Sequence, residues 1–352
     1  MKIVFLGLSI TSSWGNGHAT TYRGLVRSLN EQGHETLFLE RDLPWYAGNR
    51  DMPEPPFGTT CLYASVDELK DRFADAVRSA DAVIVGSYVP DGVTVADWAT
   101  NMAKGVTAFY DIDTPVTLAK LEEGSCEYLS PELIPRFDLY LSFTGGPTLN
   151  RLEREFGAKR ALPLYCSFDP SLYYPEPETP LRWDLGYMGT YSDDRQPVLE
   201  RLLIEPARRI PEQQFVVAGP QYPDEITWLP NIERIIHLSP DKHRAFYCAQ
   251  RFTLNITREN MVRAGYAPSV RLFEAAACAV PVISDWWEGL DTFFVPEQEI
   301  LIARSSDAVC DYLRYTSEAD RAAMGVAARQ RVQQAHTAPH RAQELATYLQ
   351  NL

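Results

Sequence analysis

Short apolar runs separated by segments of helical period recur along most of this chain. In the first third, Ile3 to Leu6, Thr36 to Leu39, Ala82 to Val85, Val106 to Tyr110 and Leu139 to Ser142 read as strands. The segments Thr21 to Glu31, Val66 to Ser79 and Pro147 to Phe156 read as helices between or after them. Strands this apolar, alternating with helices, predict a parallel doubly wound α/β sheet. Such sheets bind ligands beyond the C-terminal ends of their strands.

The pattern stops between Leu162 and Trp183, where Pro163, Pro170, Pro175, Pro177 and Pro180 leave few helix signals, so this stretch reads as a linker. A second series follows, with strands at Leu185 to Met188, Gln214 to Ala218, Ile232 to His237, Phe252 to Ile256, Pro281 to Ser284 and Ile300 to Ala303. Its helices are expected at Pro197 to Arg208, Lys242 to Ala249 and Ser269 to Ala279, and the closing segments Asp307 to Thr316, Glu318 to Ala335 and Pro339 to Gln350 are also helical. The expected organisation is a first domain over 1–170, a Pro-rich linker over 171–184, a second domain over 185–336 and a final segment over 337–352. At 352 residues the chain exceeds what one hydrophobic core usually serves, which agrees with two domains.

Composition narrows the partners. Charged residues make up 23% and hydrophobic ones 45%, an ordinary globular balance, and the net charge of -14 opposes nucleic acid or an anionic membrane as a partner. A phosphate must therefore be held locally. The six cysteines have no paired spacing and read as thiols of a reducing compartment, the cytoplasm. The apolar start at Met1 is too short for a secretion signal and is better read as a strand, and no run is long enough to span a membrane. No His/Cys/Asp grouping has zinc spacing, so no metal is expected.

The candidate chemistry lies in loops after strands. Ser269 to Asp285 joins a helix N-cap at Ser269, an Arg271–Glu274 pair on one helix face, the small residues Ala275 to Ala279, and a buried strand. With the backbone at Val270, such a helix start favours an anion, and a phosphate is the natural one. Alternatively, Arg271 and Glu274 form a surface ion pair. Gly189, Thr190 and Tyr191 end another strand before Arg195 and Pro197, where Arg195 either reaches a diphosphate or pairs with Asp193 or Asp194. Gly219-Pro220 with Tyr222, and Leu238-Ser239 after His237, are loops suited to holding a base, or simple turns. Asn255 and Arg258 close a further strand, and Arg258, Arg263 and Arg271 concentrate positive charge in an acidic chain.

In the first domain, Trp14, Gly15, Asn16 and Gly17 lead into His18 at a helix start, without the spacing of a dinucleotide fingerprint or a P-loop. His18 is a candidate general base or a structural helix-start residue. Asp111 and Asp113 end a strand at the same sheet edge, and Asp113 orients His18, binds a sugar hydroxyl, acts as base, or caps the turn before Pro115. Trp14, Tyr22, Trp45 and Tyr46 form either an aromatic acceptor surface or ordinary packing.

These residues resemble glycosyltransferases of the GT-B fold, and more specifically the CgeB-like family first known from spore maturation. The resemblance rests on Gly186-Tyr-Met-Gly-Thr-Tyr191 with Arg195, Phe215-Val-Val-Ala-Gly-Pro220, Leu254-Asn-Ile-Thr-Arg258, Pro268-Ser-Val-Arg-Leu-Phe-Glu-Ala-Ala-Ala-Cys278 and Gly289-Leu-Asp-Thr-Phe-Phe294. Gly15-Asn-Gly-His18 and Asp113-Thr-Pro115 carry it more loosely into the first domain. It implies two Rossmann-like domains facing across a cleft, an acceptor bound mainly by the first and a nucleoside-diphosphate sugar by the second. UDP is the foremost base carrier, with GDP or TDP as alternatives. The final segment is implied to pack back on the first domain. In the related family 4 enzymes a Glu-x7-Glu pair contacts donor sugar and ribose; Glu274 matches its second member, and Tyr266 stands where the first would be. The reading is a metal-independent glycosyltransferase with Arg195 and Arg271 on the leaving diphosphate and an unidentified small-molecule, glycan or protein acceptor. A sugar-nucleotide epimerase and a non-catalytic sugar-nucleotide binding protein are the alternatives.

Overall fold

The computed structural model describes residues 1–15 and 17–352. The chain divides into two compact units, Met1–Cys166 with Ala338–Leu352, and Ser167–Thr337.

Unit 1 holds a seven-stranded parallel sheet made of β1 (Lys2–Gly7), β2 (Glu35–Arg41), β3 (Thr59–Tyr63), β4 (Ala82–Gly86), β5 (Val106–Asp111), β6 (Leu139–Ser142) and β7 (Ala161–Pro163), in the order β3-β2-β1-β4-β5-β6-β7. Alternate residues of β1 serve opposite faces. Val4 and Leu6 join a core with Leu69, Phe73 and Val77 of the Val66–Ser79 helix. Ile3 and Phe5 join a second core with Tyr22, Leu25 and Leu29 of the His18–Glu31 helix and with Ala342, Leu345 and Leu349 of the Ala338–Gln350 helix. The last helix of the chain thus completes one face of the first sheet. The Val66–Ser79 helix starts at Ser65, whose Oγ accepts from the Glu68 amide at 3.1 Å.

Unit 2 repeats the plan with six parallel strands, β8 (Trp183–Met188), β9 (Phe215–Ala218), β10 (Ile232–Ile235), β11 (Gln250–Asn255), β12 (Val282–Ser284) and β13 (Leu301–Ile302), in the order β10-β9-β8-β11-β12-β13. Small side chains let helices sit close. Ala275, Ala276 and Ala277 are fully buried, and Gly325 of the Glu318–Ala335 helix lies against the Ala279 carbonyl. Strand order reverses between β1 and β4 in the first sheet and between β8 and β11 in the second. Those reversals are where open α/β sheets take ligands.

Several elements differ from the sequence expectations. β3 and β7 are edge strands; β3 is only partly buried, and its Thr-Thr-Cys start carries little apolar signal. The Gly92–Met102 helix opens on Gly, Val and Thr, weak helix formers, and is held instead by burial of Val95, Ala96 and Ala99. The helices Thr114–Glu122 and Glu259–Ala264 are also additional. The Pro197 to Arg208 segment is helical but widens into a π turn at Glu200–Ile204, directly before Pro206, whose ring nitrogen offers no hydrogen to the preceding turn.

Leu345 is fully buried beneath the first sheet. Leu345→Ala is expected to destabilise unit 1 by about 2–5 kcal/mol in chemical denaturation, with the unit 2 transition unmoved.

Candidate functional site

In unit 2 the polar groups converge beyond β8 and β11. Arg271 donates from Nε to the Met188 carbonyl at 2.7 Å and from Nη1 to Asn255 Oδ1 at 2.8 Å, so the buried guanidinium bridges the two strand ends where the order reverses. It also stacks on Tyr187 at 4.9 Å. A side chain at Gly189 would come within 3.2 Å of Arg271 Nη2 and 2.6 Å of the Tyr187 hydroxyl, so only glycine leaves that nitrogen uncovered. Gly219, with φ of 145°, crosses so close to the Gly189 carbonyl that any Cβ would collide with it.

Ser269 occupies the N-cap position of the Val270–Ala277 helix but does not cap it; its Oγ donates instead to Asn255 Oδ1 at 2.7 Å. The first-turn amides therefore face outward without a side-chain acceptor, which is the arrangement an anion completes. Glu274 points the other way. It is buried, accepts from the Tyr247 hydroxyl at 3.0 Å, and burial raises its pKa. Tyr173 reaches both this carboxyl and His243, whose Nε2 lies 3.3 Å from the Leu238 carbonyl, so the Leu238-Ser239 loop is linked to Glu274 through that cluster.

Arg195 turns into its own loop, donating to Ser192 Oγ at 2.8 Å and to the Thr190 carbonyl at 2.6 Å. The Tyr191 amide donates to Pro220 at 3.1 Å, and the Tyr222 hydroxyl to Gly189 at 3.2 Å, locking the β8 and β9 loops together. Arg234, which the sequence pattern does not single out, is sandwiched between Tyr222 at 4.3 Å and Trp228 at 4.6 Å and donates to the Gly219 carbonyl at 3.0 Å. Asp194 accepts from the Glu259 amide at 2.9 Å; burial pushes its carboxyl up, but the hydrogen bonds from Ser192 and Glu259, with Arg258 and Arg195 nearby, outweigh it and lower its pKa. Arg263 pairs with Glu259 on the surface and does not join the group. Tyr266, at a left-handed φ of 48°, lies over Gly289, where a Cβ would strike its ring.

In unit 1 the loop after β1 is held from beneath. Glu40, fully buried on β2, accepts from the amides of Ile10 (2.7 Å) and Thr11 (3.0 Å) and from the hydroxyls of Thr11 (2.6 Å) and Ser9 (3.3 Å). Asp51 accepts from the amide and hydroxyl of Ser13, both at 2.8 Å, and from both terminal nitrogens of Arg23 at 2.9 Å. Burial pushes the Asp51 carboxyl up, but the Arg23 and Ser13 hydrogen bonds outweigh it and hold it well below the usual carboxylate range. The only sequence signal for Glu40 was a carboxylate at the end of an otherwise apolar strand.

His18 begins the His18–Glu31 helix beside this loop, partly buried, with its Nδ1 enclosed and without a hydrogen-bond partner. Burial lowers its pKa to about 4, so it is neutral at pH 7. Its ring meets Tyr88 edge-on at 5.4 Å, and the Tyr88 hydroxyl donates to Asp113 Oδ2 at 3.0 Å. His18, Tyr88 and Asp113 thus form one group past β1, β4 and β5. Trp14 and Trp45 are exposed near this edge, Gly15 takes a left-handed φ of 65°, Gly17 precedes the helix, and Asn16 lies outside the described residues.

Three of the expected acceptor-side residues sit elsewhere. Tyr22 is fully buried, packed at right angles to Phe38 and Tyr110 with Gly86 against its hydroxyl, and so belongs to the core rather than to an aromatic surface. Tyr46 is buried as well. Asp111 is fully enclosed, accepting from Tyr140 at 2.6 Å and Thr117 at 2.8 Å; burial raises its pKa to about 6, and it supports the loop from below. Among the described residues no group of three or more His, Cys, Asp and Glu side chains is arranged to hold a metal ion, and no helix is long and apolar enough to cross a membrane.

A family described as glycosyl transferase-like matches residues 195–347, most of unit 2 and much of the returning helix. No curated protein matches the chain by sequence. Solved structures match it over its length. A sucrose-phosphate synthase from Thermosynechococcus elongatus gives a TM-score of 0.72 at 14% identity, covering 100% of this chain and 98% of its own. HepE from Anabaena in complex with UDP-glucose gives 0.73 at 14% identity, covering 100% of both. An alpha-glucosyltransferase in complex with UDP and DNA gives 0.74 at 12% identity, covering 99% of both. The fold the chain shares with these is the GT-B fold of glycosyltransferases. The whole chain has this architecture, and residues 195–347 carry the glycosyl transferase-like segment.

Glu40→Ala would strand the buried donors of Ile10 and Thr11. It is expected to cost at least about 3 kcal/mol and to raise amide exchange at Ile10 and Thr11 first, followed by NMR. The His18 ring should titrate near pH 4. Because this folded value lies below the unfolded one of about 6.5, the unfolded chain binds more protons between them, and stability should fall as pH drops from about 6.5 towards 4. His18→Gln should flatten that part of a pH–stability curve.

Proposed function

We propose that this protein is a metal-independent glycosyltransferase that moves a sugar from a nucleoside-diphosphate sugar to an acceptor nucleophile, with unit 2 binding the donor and unit 1 the acceptor. The observation that carries this reading is the Arg271 guanidinium, fixed across the ends of β8 and β11 beside an uncapped helix start, with glycines keeping the approach open. Negative charge grows on the diphosphate as the sugar leaves, and preorganised donors aimed at that charge are the largest ordinary source of catalysis. Arg271 and the amides at Val270 supply them directly. Arg195 adds charge from the adjoining loop, and Arg258 from the end of β11.

The nucleobase is assigned to the loops of Gly219-Pro220 and Leu238-Ser239, and the ribose to Glu274. A UDP-sugar is the preferred donor, supported by the UDP and UDP-glucose complexes among proteins of similar fold. Within the GT-B glycosyltransferases, we assign the chain to the CgeB-like group on the motifs around Gly189 and Arg271. His18 and Asp113 form the acceptor half-site, with Trp14, Gly15 and Gly17 at its rim. The acidic balance of the chain favours a small-molecule, glycan or protein acceptor over a nucleic acid. Six free thiols fit the reducing cytoplasm as its location.

Arg271→Ala should lower transfer at least tenfold while leaving the circular dichroism spectrum of the fold intact; unchanged turnover would refute the diphosphate role. In a thermal-shift series of UDP, GDP and TDP, the correct nucleotide at about 100 times its dissociation constant should stabilise the wild type by about 2.7 kcal/mol. No shift with any of the three would overturn the donor assignment. Incubation with nucleotide sugar alone, followed by NMR of the sugar ring, separates transfer from epimerisation.

A further inference from the structure

Tyr88 joins the two candidate groups of unit 1, and nothing in the sequence pattern marks it. It follows β4 directly, beside the reversal of strand order, and its backbone φ of 63° is left-handed. A tyrosine gains nothing intrinsic from that conformation, so the surroundings impose it, as is common where a side chain must be aimed. The ring is half-buried, packed on Tyr128 at 4.5 Å and on the His18 edge at 5.4 Å, and the hydroxyl donates to Asp113 Oδ2 at 3.0 Å. Lys120, on the Thr114–Glu122 helix, places its ammonium 5.1 Å from the Tyr88 ring centre and 5.7 Å from that of Tyr128.

The surroundings separate the roles of His18 and Asp113. A histidine that accepts a proton becomes a double donor, and an effective histidine base has an acceptor waiting on its second nitrogen. The enclosed Nδ1 of His18 has none, so an imidazolium there would bury an unsatisfied N–H. Asp113 has the opposite setting. Asp111 lies beneath it, accepting the Asp113 amide at 3.2 Å, and its negative charge favours protonation of a neighbour, while the Tyr88 hydroxyl fixes one carboxylate oxygen.

Resting on the transferase reading above, we propose that Tyr88 is a positioning residue that holds Asp113 as the group taking the proton from the acceptor hydroxyl, with His18 a neutral hydrogen-bonding partner of the substrate. The acceptor O–H bond breaks and its proton passes to the Asp113 carboxylate. The electron pair left on the acceptor oxygen forms the bond to the anomeric carbon. The bond from that carbon to the diphosphate oxygen breaks, and the nucleoside diphosphate departs with its electron pair.

The test is Tyr88→Phe, which keeps the ring and removes the hydroxyl. Because that hydroxyl donates to the charged carboxylate, with the Asp111 carboxylate opposing that charge, the Lys120 ammonium over the Tyr88 and Tyr128 rings favouring it and His18 neutral, its loss should raise the pH at which Asp113 takes a proton by about one unit, equivalent to about 1.4 kcal/mol. The acid limb of kcat/KM for the acceptor should then move up by about one pH unit, with the donor KM unchanged. Carbon-13 NMR of the aspartate carboxyls, with the Asp113 signal identified by its loss in Asp113→Asn, should show the same displacement without any turnover. An unmoved limb and an unmoved carboxyl midpoint would reduce Tyr88 to packing. Full turnover in Asp113→Asn would remove Asp113 from the chemistry while nucleotide binding by unit 2 still stood. If no nucleotide sugar bound at all, the transferase reading would fail, and the carboxyl midpoint would still decide the coupling of Tyr88 to Asp113.

Discussion

A buried primary amide must place two N–H donors and a carbonyl oxygen among protein groups, and the way Asn255 does so organises unit 2. Its Nδ2 donates to Ser284 Oγ at 2.9 Å and to Thr257 Oγ1 at 3.3 Å, which ties β11 to β12 and to its own loop. Its Oδ1 receives both Ser269 Oγ and Arg271 Nη1. Drawing Ser269 to that oxygen takes the hydroxyl away from the helix it would otherwise cap. Drawing Arg271 there pulls a guanidinium across the end of β8. The uncapped helix start and the fixed cation are therefore two results of one satisfied amide.

Unit 1 has the same strand order but secures its loop by charge instead. Glu40 and Asp51 gather the residues after β1, and Arg50 and Arg23 offset them, with Arg50 3.0 Å from the Thr11 hydroxyl and 2.5 Å from Asp42. In the first unit the carboxylates of Glu40 and Asp51 lie beneath the loop and take up its buried hydroxyls and amides. In the second the cation stands at the strand ends and the carboxyl of Glu274 is turned inward. One scaffold thus carries two different polar arrangements at its strand ends, and the difference arises from a handful of side chains beneath the loops.

The sheets were legible in the sequence because strands covered on both faces are apolar whichever way their side chains point, as the strand from Lys2 to Gly7 illustrates. The edge strand Thr59–Tyr63 was not, since half of it meets solvent and its polar residues break the run. In the group beyond β8 and β11, the sequence marks Arg271, Gly189, Gly219 and Asn255 because each sits at a strand end or helix start with a distinctive residue type. What neighbours do to those residues it does not mark: Ser269 has the sequence of a cap and the bonds of a strand anchor. Tyr22 was open to either a surface or a packing reading, and it lies one helical turn past His18 on the inward face. Tyr88 and Glu40 matter through partners 25 and about 30 positions away, a relation no local pattern encodes.

The helix Ala338–Gln350 supplies Ala342, Leu345 and Leu349 to the core of the first sheet. During synthesis on the ribosome, the second unit emerges as one unbroken stretch and has every residue it needs before Ala338–Gln350 is made. The first unit, although begun earlier, has the His18–Glu31 helix over that face of its sheet but lacks the rest of its cover until Ala338–Gln350 follows. Folding therefore runs against the order of translation, and the apolar face left open in the interval is the point at which a truncated or stalled chain is exposed to aggregation.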